Sequence, residues 1–282
     1  MPVEEMRDRV KVGLVAPVLG FILAAPVAAG PLEEASAAYR RGAYATAVQL
    51  LRPLAEQGNA SAQSSPGYMY MVGQGVPRDY AEAARWFRKA ADQGDDFGQF
   101  NLGVLYAHGQ GVPRDYTEAV RWYRRAADLD FVPAFVNLGI MYEDGSGVPQ
   151  DYPEAMRRYR KAADPGEPRA LHNLGVLYAE GRGVSQDYPE AIRWFRKAAE
   201  LAFTPSQVNL GVIYATGRGA PQDFVEAATW FRKAAEHGVA PAQSALGFMY
   251  ATGQGVPQDY VQAHLWFSLA ARVFRHRRPK TV

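Results

Sequence analysis

Residues 102–127 read LGVLYAHGQGVPRDYTEAVRWYRRAA, and this stretch returns along the chain at a fixed period. Tryptophan marks the period, at Trp86, Trp122, Trp194, Trp230 and Trp266. Every gap in that series is 36 residues or twice 36, and Arg158 holds the one position that lacks a tryptophan. A fixed period of roughly 20 to 50 residues is typical of a solenoid, in which each repeat packs only on its neighbours. The period therefore predicts a repeat protein and favours binding over catalysis.

The first half of each repeat is predicted to be a helix, here called helix A. Leu102, Leu105 and Tyr106 have the spacing of one helix face. Gly109 is suited to the left-handed position that ends a helix, and Pro113 cannot continue it. The Gly-x-Gly pairs are interpreted as helix-to-loop turns, since no strand precedes them and no third glycine follows at dinucleotide-binding spacing.

The second half is predicted to be helix B. Asp115 is placed to cap its start, with Glu118 at the spacing of a capping box. Trp122 and Tyr123 fall on its apolar face, and Ala119 is small enough to let helices A and B approach closely. The aspartate recurs once per repeat and is interpreted as a cap and not as a metal ligand, at Asp79, Asp115, Asp151, Asp187, Asp223 and Asp259.

The period divides the chain without insertions. Residues 30–58 form a half-repeat that caps the N-terminus, and a basic tail occupies 275–282. The six full repeats are 59–94, 95–130, 131–166, 167–202, 203–238 and 239–274.

The first 29 residues stand apart from the repeats. Residues 12–29 are almost wholly apolar, follow a charged segment, and end in the small residues of a signal peptidase site. We predict a signal peptide over 1–29 and an exported protein, periplasmic or secreted. The alternative is an uncleaved N-terminal membrane anchor. Pro17 and Pro26 argue against an anchor, because they interrupt the apolar run.

The repeated block resembles the Sel-one-like repeat (SLR) family, a relative of the tetratricopeptide repeats. The resemblance covers about residues 59–274 and rests on Leu-Gly-x-x-Tyr in helix A, the Gly-x-Gly-Val-Pro-x-Asp-Tyr link and Ala-x-x-Trp-Phe in helix B. It implies an all-α fold, a right-handed α/α superhelical solenoid of six 36-residue helix-turn-helix repeats plus the N-terminal half-repeat. It also implies a scaffold for protein–protein contacts, in bacteria often in the cell envelope.

Two residues depart from the pattern. Pro66 stands where the other repeats have a helix A leucine such as Leu102, and Arg158 stands where they have tryptophan. One interpretation is a bend or a charged binding position. The other, which a redundant array favours, is drift that the remaining repeats tolerate.

A helical wheel predicts a partner-binding surface on the concave side of helix A, opposite its packed face. Two columns of residues, those of Val104 and Phe100, are mostly apolar on that side, and a continuous exposed apolar stripe usually marks a partner site. The alternative is burial between neighbouring A helices. The predicted surface comprises Tyr68, Phe100, Val104, His108, Val136, Ile140, Glu143, Asp144, Arg169, His172, Val176, Glu180, Val208, Val212 and Phe248.

Composition narrows the chemistry. The chain has no cysteine, which excludes disulfides, thiolate zinc sites and cysteine nucleophiles. We predict no cofactor, no metal and no catalytic residue. His108, Asp144 and Glu180 share a column, but neighbouring helices lie too far apart for three ligands to converge without distortion. Asn101 is expected to bond the neighbouring repeat.

The sequence thus predicts a non-enzymatic scaffold in the bacterial cell envelope that binds a protein or peptide segment. The net charge is +2, but the residues beyond 271 include five basic and no acidic side chains, so the body of the protein is nearly neutral. A nearly neutral body argues against nucleic acid as the main partner. No stable membrane span is expected after processing. The alternative function is that of cysteine-rich secreted relatives reported to bind or hydrolyse β-lactams, whose cysteines this chain lacks.

Overall fold

A computed structural model describes residues 30–58 and 60–276, and within them the chain is helical, with no strand. The predicted signal peptide and residues 277–282 of the basic tail lie outside the described residues. No helix in the described part of the chain is long and apolar enough to cross a membrane. The helices are α1 (Pro31–Arg40), α2 (Tyr44–Glu56), α3 (Ala60–Val72), α4 (Tyr80–Asp92), α5 (Asp96–His108), α6 (Tyr116–Asp128), α7 (Val132–Asp144), α8 (Tyr152–Ala163), α9 (Pro168–Glu180), α10 (Tyr188–Glu200), α11 (Thr204–Thr216), α12 (Phe224–Glu236), α13 (Ala240–Thr252) and α14 (Tyr260–His276).

These helices form consecutive hairpins, which confirms the predicted all-α solenoid. Helices α1 and α2 precede six A–B pairs, in which the odd-numbered helices from α3 to α13 are A helices and the even-numbered ones are B helices. The chain divides into two compact units, 30–158 and 159–276 among the described residues, with the boundary inside α8. Within each unit a B helix also packs on the A helix that follows it, as α4 does on α5 and α12 on α13.

Helix A ends as predicted, at a glycine in the left-handed conformation. Gly109 has φ +66°, and the amide of the next residue, Gln110, donates to the carbonyl of Leu105 at 3.0 Å. The second glycine of the turn, Gly111, has φ +70°, and a Cβ there would collide with the backbone of Tyr80, at the start of the preceding B helix. The Gly-x-Gly pair therefore both ends a helix and brings the loop against the previous repeat.

The predicted cap of helix B is present, but the capping box forms only in part. The Asp115 carboxylate accepts from the amide of Glu118 at 3.0 Å. The reciprocal bond is replaced, because the Asp115 amide donates to the carbonyl of Tyr106 at 3.0 Å and the Glu118 carboxylate pairs with Arg121 at 3.2 Å. Helix B is thus attached to helix A of its own repeat through the cap residue.

The core lies between helices A and B. Leu102 and Leu105 of helix A and Trp122 and Tyr123 of helix B are buried, as predicted. A Cβ on Gly103 would come within 2.7 Å of the Tyr123 ring, so this glycine allows the ring to lie against the helix A backbone. The same glycine-on-ring contact recurs in other repeats, at Gly67–Phe87, Gly175–Phe195, Gly211–Phe231 and Gly247–Phe267.

Arg158 makes the hydrogen bond to the glutamate one turn earlier that Trp230 makes in its own repeat. Arg158 Nε lies 2.7 Å from Glu154 Oε1, and 72 residues later Trp230 Nε1 donates to Glu226 Oε1 at 2.9 Å. The side chains differ, yet both place an N–H donor on the glutamate one turn earlier. Pro66 is buried inside α3, which continues on both sides of it.

The expectation for Asn101 is wrong. Its Nδ2 donates to the carbonyl of Phe97 at 2.8 Å, which is one turn back in its own helix and not in the neighbouring repeat. A short amide side chain reaches the carbonyl four residues earlier on its own helix more easily than it spans two helices.

Candidate binding surface

In the unit 30–158, three members of the predicted surface are buried. Phe100, Val104 and Val136 are at most 1% exposed, so the expectation that they line an open groove is wrong. The Phe100 ring lies 5.7 Å from that of Tyr123 and 5.2 Å from that of Phe131, between its own helix B and the start of the next helix A. Neighbouring A helices also contact each other in this unit, as α3 and α5 do. Phe100, which the helical wheel predicts to face outward, is therefore covered both by the Tyr123 ring of its own helix B and by the start of the next repeat.

The other members in this unit keep some exposure. Tyr68, Ile140 and Glu143 are partly buried, and His108 and Asp144 are exposed at the C-terminal ends of α5 and α7. They remain candidates for partner contact, although no continuous apolar stripe joins them.

In the unit 159–276, His172 is also buried, and its assignment to an open surface is wrong. Its Nδ1 lies 2.8 Å from Ser206 Oγ, and its ring lies 5.5 Å from that of Phe195 and 5.3 Å from that of Phe203. Burial lowers the pKa of His172 to about 4, because the charged form loses its hydration. Ser206 is fully buried as well, so this serine–histidine pair is closed to substrate in this conformation.

Three residues in the register of Val104 do form an accessible apolar column in this unit. Val176 and Val212 are partly buried, and each packs its inner side on the core. Phe248 is 55% exposed. We call Val176, Val212 and Phe248 the A-helix stripe, which runs over α9, α11 and α13. Val208 lies one turn earlier than Val212 and is partly buried.

The charged residues beside the stripe differ from the expected acidic centre. Glu180 Oε2 lies 2.7 Å from Arg182 Nε, and only 5% of the Glu180 side chain is exposed. Glu180 is therefore paired and does not offer a free acidic group to a partner. Arg169, at the other end of α9, is partly buried. In the described residues, no three histidine, aspartate or glutamate side chains are grouped to hold a metal ion.

Sequence reasoning missed a repeated glutamine at the start of helix A. Gln99 Nε2 donates to the carbonyl of Ala91 at 3.3 Å, at the end of the preceding helix B. The 36-residue spacing was a signal that could have revealed it. The same bond is made by Gln63, Gln207 and Gln243.

A second missed contact joins the end of helix B to the next helix A. Arg88 Nη2 donates to the Tyr106 hydroxyl at 2.5 Å, and its guanidinium lies 5.0 Å from the Trp122 ring centroid. Both contacts bind repeats together, which explains why these polar residues recur. The arginine–tyrosine bond returns at Arg124–Tyr142, Arg160–Tyr178, Arg196–Tyr214 and Arg232–Tyr250.

The hairpins and their glycine turns define an α-helical repeat solenoid. The chain belongs to the Sel1 repeat family, whose model matches six segments. Proteins of this family are generally protein-interaction scaffolds. The matched segments are 60–95, 97–131, 134–166, 168–203, 204–239 and 240–272.

Solved structures agree with that assignment. A Sel1 repeat protein from Oxalobacter formigenes is 35% identical, with a TM-score of 0.80 over 86% of this chain and 99% of the other. The protein c5321, a protective antigen of uropathogenic Escherichia coli strains with an SLR fold, is 40% identical, with a TM-score of 0.76 over 80% of this chain. This chain covers 48% of c5321, about half its length. The Pseudomonas aeruginosa immunity protein PA5088 shares the fold, at 22% identity and a TM-score of 0.52 over 76% of this chain and 82% of that one. No curated protein gives a significant match.

Proposed function

We propose that this protein is a non-enzymatic scaffold of the bacterial cell envelope and that it holds a segment of a partner protein on the A-helix stripe. The carrying observation is Phe248, an aromatic residue 55% exposed in the same column as Val176 and Val212. Exposed aromatic side chains flanked by aliphatic ones are typical anchors of protein interfaces.

The stripe suits an extended or helical segment with apolar side chains. Adjacent A helices in a solenoid repeat at roughly 10 Å, about the distance spanned by three residues of an extended strand. Two hydroxyl groups border the stripe, but both already donate to carbonyls of their own helices. Thr216 donates to the carbonyl of Val212 at 2.8 Å, and Thr252 donates to that of Phe248 at 2.9 Å. Binding at the stripe is therefore driven mainly by apolar contact.

The envelope location rests on the sequence of residues 1–29 and on the relatives. The apolar run of residues 12–29 followed by small residues favours export. The related c5321 is described as a protective antigen, which is consistent with a protein accessible outside the cytoplasm. Export would place the stripe where an envelope partner could reach it.

Site-specific crosslinking tests the partner site. A photoreactive phenylalanine analogue replaces Phe248 in one protein and Val225 in a control, since Val225 is also exposed but lies on helix B. After irradiation in intact cells, a discrete adduct is expected at position 248 and not at 225. The partner in that adduct is then identified. The double variant Phe248→Asp with Val212→Asp, which carries no photoreactive residue, should fail to capture this partner.

Equal adducts at both positions, or a partner still captured by the double variant, would rule out the stripe as the binding site. Val225→Asp serves as the charge control. Retained helicity by circular dichroism excludes unfolding as the cause of any loss.

A further inference from the structure

The last helix, α14, has lost the charges that the other B helices carry. In α12 the positions of Glu226, Arg232 and Lys233 are charged, and 36 residues later α14 has Gln262, Ser268 and Leu269. From Tyr260 to residue 271 the helix contains no aspartate, glutamate, lysine or arginine. The three equivalent positions are charged in every preceding full repeat, so α14 differs from the other B helices of the same protein.

Leu265 is the most informative of these replacements. The equivalent residue in four other B helices is an arginine in solvent, as at Arg85, whose side chain is 79% exposed. Leu265 therefore stands at a position that faces solvent in the interior of the array, and it is itself 47% exposed. The exposure of Leu265 therefore follows from its position on the helix, as the exposure of Arg85 does.

Other apolar residues of α14 are exposed around it. Val261 is 77% exposed and Phe267 is 42% exposed, whereas Phe231 at the register of Phe267 in α12 is 4% exposed. At about 100° per residue, the exposed side from Phe267 through Val261 to Leu265 covers about 160° of the helix, and the exposed His264 lies within it. Helix packing on one neighbour normally uses a narrower apolar stripe, of about 100°.

Positive charge follows directly on the same helix. Arg272 is exposed and lies two turns after Leu265 on the same side. The chain has no acidic residue after Asp259. The sequence beyond Arg272 adds four more cations, Arg275, Arg277, Arg278 and Lys280.

We propose that α14 docks this protein on an anionic lipid surface, with Val261, Leu265 and Phe267 at the acyl boundary and Arg272 among the headgroups. A helix that combines exposed aromatic and aliphatic residues with adjacent cations is the type that lies in a membrane interface. Each such cation near an anionic leaflet adds to the attraction. A second copy of this chain fits less well, because α14 contains no acidic side chain that could meet the basic end of a paired α14, whichever way the two helices run. This surface is separate from the A-helix stripe, and the inference does not depend on it.

The absence of cysteine permits a single-site reporter. Leu265→Cys is labelled with a polarity-sensitive fluorophore, and Thr229→Cys, the same register on α12, is the matched control. The full chain is used, so any contribution from the N-terminal segment is common to both proteins. Vesicles contain phosphatidylcholine alone or with phosphatidylglycerol, and brominated lipid chains act as quenchers.

With phosphatidylglycerol vesicles, the label at 265 should shift to shorter wavelength and be quenched by brominated chains, while the label at 229 should not. In the Leu265→Cys background, Val261→Gln should raise the lipid concentration for half-maximal response at least about threefold, since it removes most of one apolar side chain's burial. Val225→Gln, the equivalent change on α12, should leave it unchanged.

Three results would overturn the proposal. The first is a lack of specificity, seen either as an equal response of the labels at 229 and 265 or as a response at 265 that is equally strong with neutral and anionic vesicles. The second is a shift at 265 without lipid that grows with protein concentration, which would indicate self-association. The third is no response to anionic vesicles, which would leave α14 to an acidic protein partner.

Discussion

His172 Nδ1 and Ser206 Oγ lie 2.8 Å apart in the core of the unit 159–276, where other repeats have apolar or small residues. The positions equivalent to His172 in two earlier repeats are occupied by Phe100 and Val136. The positions equivalent to Ser206 in the neighbouring repeats are occupied by Ala170 and Ala242. The two polar residues therefore occur together, each providing the other with a hydrogen-bond partner. Because the pair is buried, it affects stability and its dependence on pH.

Stability should fall on mild acidification because of His172. Its pKa is lowered from 6.5 to about 4 by burial, so between these values the unfolded chain binds more protons than the folded one. The contribution is present in full above pH 6.5, declines as the pH falls, and is lost near pH 4. It amounts to about 3 kcal/mol of unfolding free energy.

Urea denaturation at pH 7.5, 5.5 and 4.5 measures this effect against a variant. His172→Val with Ser206→Ala restores residues found at these registers elsewhere, and it should remove the His172 part of the pH dependence. Identical pH dependence in both proteins would show that His172 titrates normally in the fold.

Replacing Pro66 should stabilise the protein. Pro66 lies inside α3, while the other repeats have a buried leucine at this register, such as Leu102. An interior proline costs a helix about 3 kcal/mol, so Pro66→Leu should raise the unfolding free energy by up to that amount. Leu102→Pro is the reciprocal control and should lower it by at least as much. An unchanged or lower melting temperature for Pro66→Leu would show that α3 accommodates the proline.

Two glycines with similar backbone conformations separate strain from collision. Gly94 has φ +88° with open space around it, and Gly111 has φ +70° with the Tyr80 backbone in the way of a Cβ. Gly94→Ala should cost only the conformational strain, about 1 kcal/mol. Gly111→Ala should cost about 1 to 3 kcal/mol more, because the loop must move away from the preceding repeat. Equal losses in thermal denaturation would mean that the loop contact contributes nothing.

Export predicts a processed N-terminus. Mass spectrometry of the protein recovered from cells should give a mature chain that starts at or near Gly30, after the small residues that end the apolar run. Ala29→Arg should block cleavage and leave the longer form. A wild-type protein that keeps residues 12–29 and sediments with membranes would instead support an anchor.

Local sequence was sufficient for the turns and caps. Gly109 ends helix A and Asp115 begins helix B because their preferences depend on the backbone within a few residues. The hydrogen bond from Gln99 to the carbonyl of Ala91 was not predicted, because Ala91 lies at the end of another helix. The recurrence of the glutamine every 36 residues was nevertheless visible in the sequence. Arg158 shows the same limit, because its role as a donor to Glu154 depends on which atom lies within reach.

The sequence by itself determined the number of repeats, the residues at which helix A ends and helix B begins, and the side of each helix that packs within its own hairpin. They follow from the period of 36 residues, from the cap preferences of glycine and aspartate, and from the 3.6-residue helical period, none of which requires a contact between repeats. Only the tertiary structure decided which of the outward-pointing residues stay open. Val104 and Phe248 occupy the same register, yet Val104 is buried and Phe248 is exposed, because burial depends on neighbouring parts of the chain that a helical wheel for one repeat does not contain.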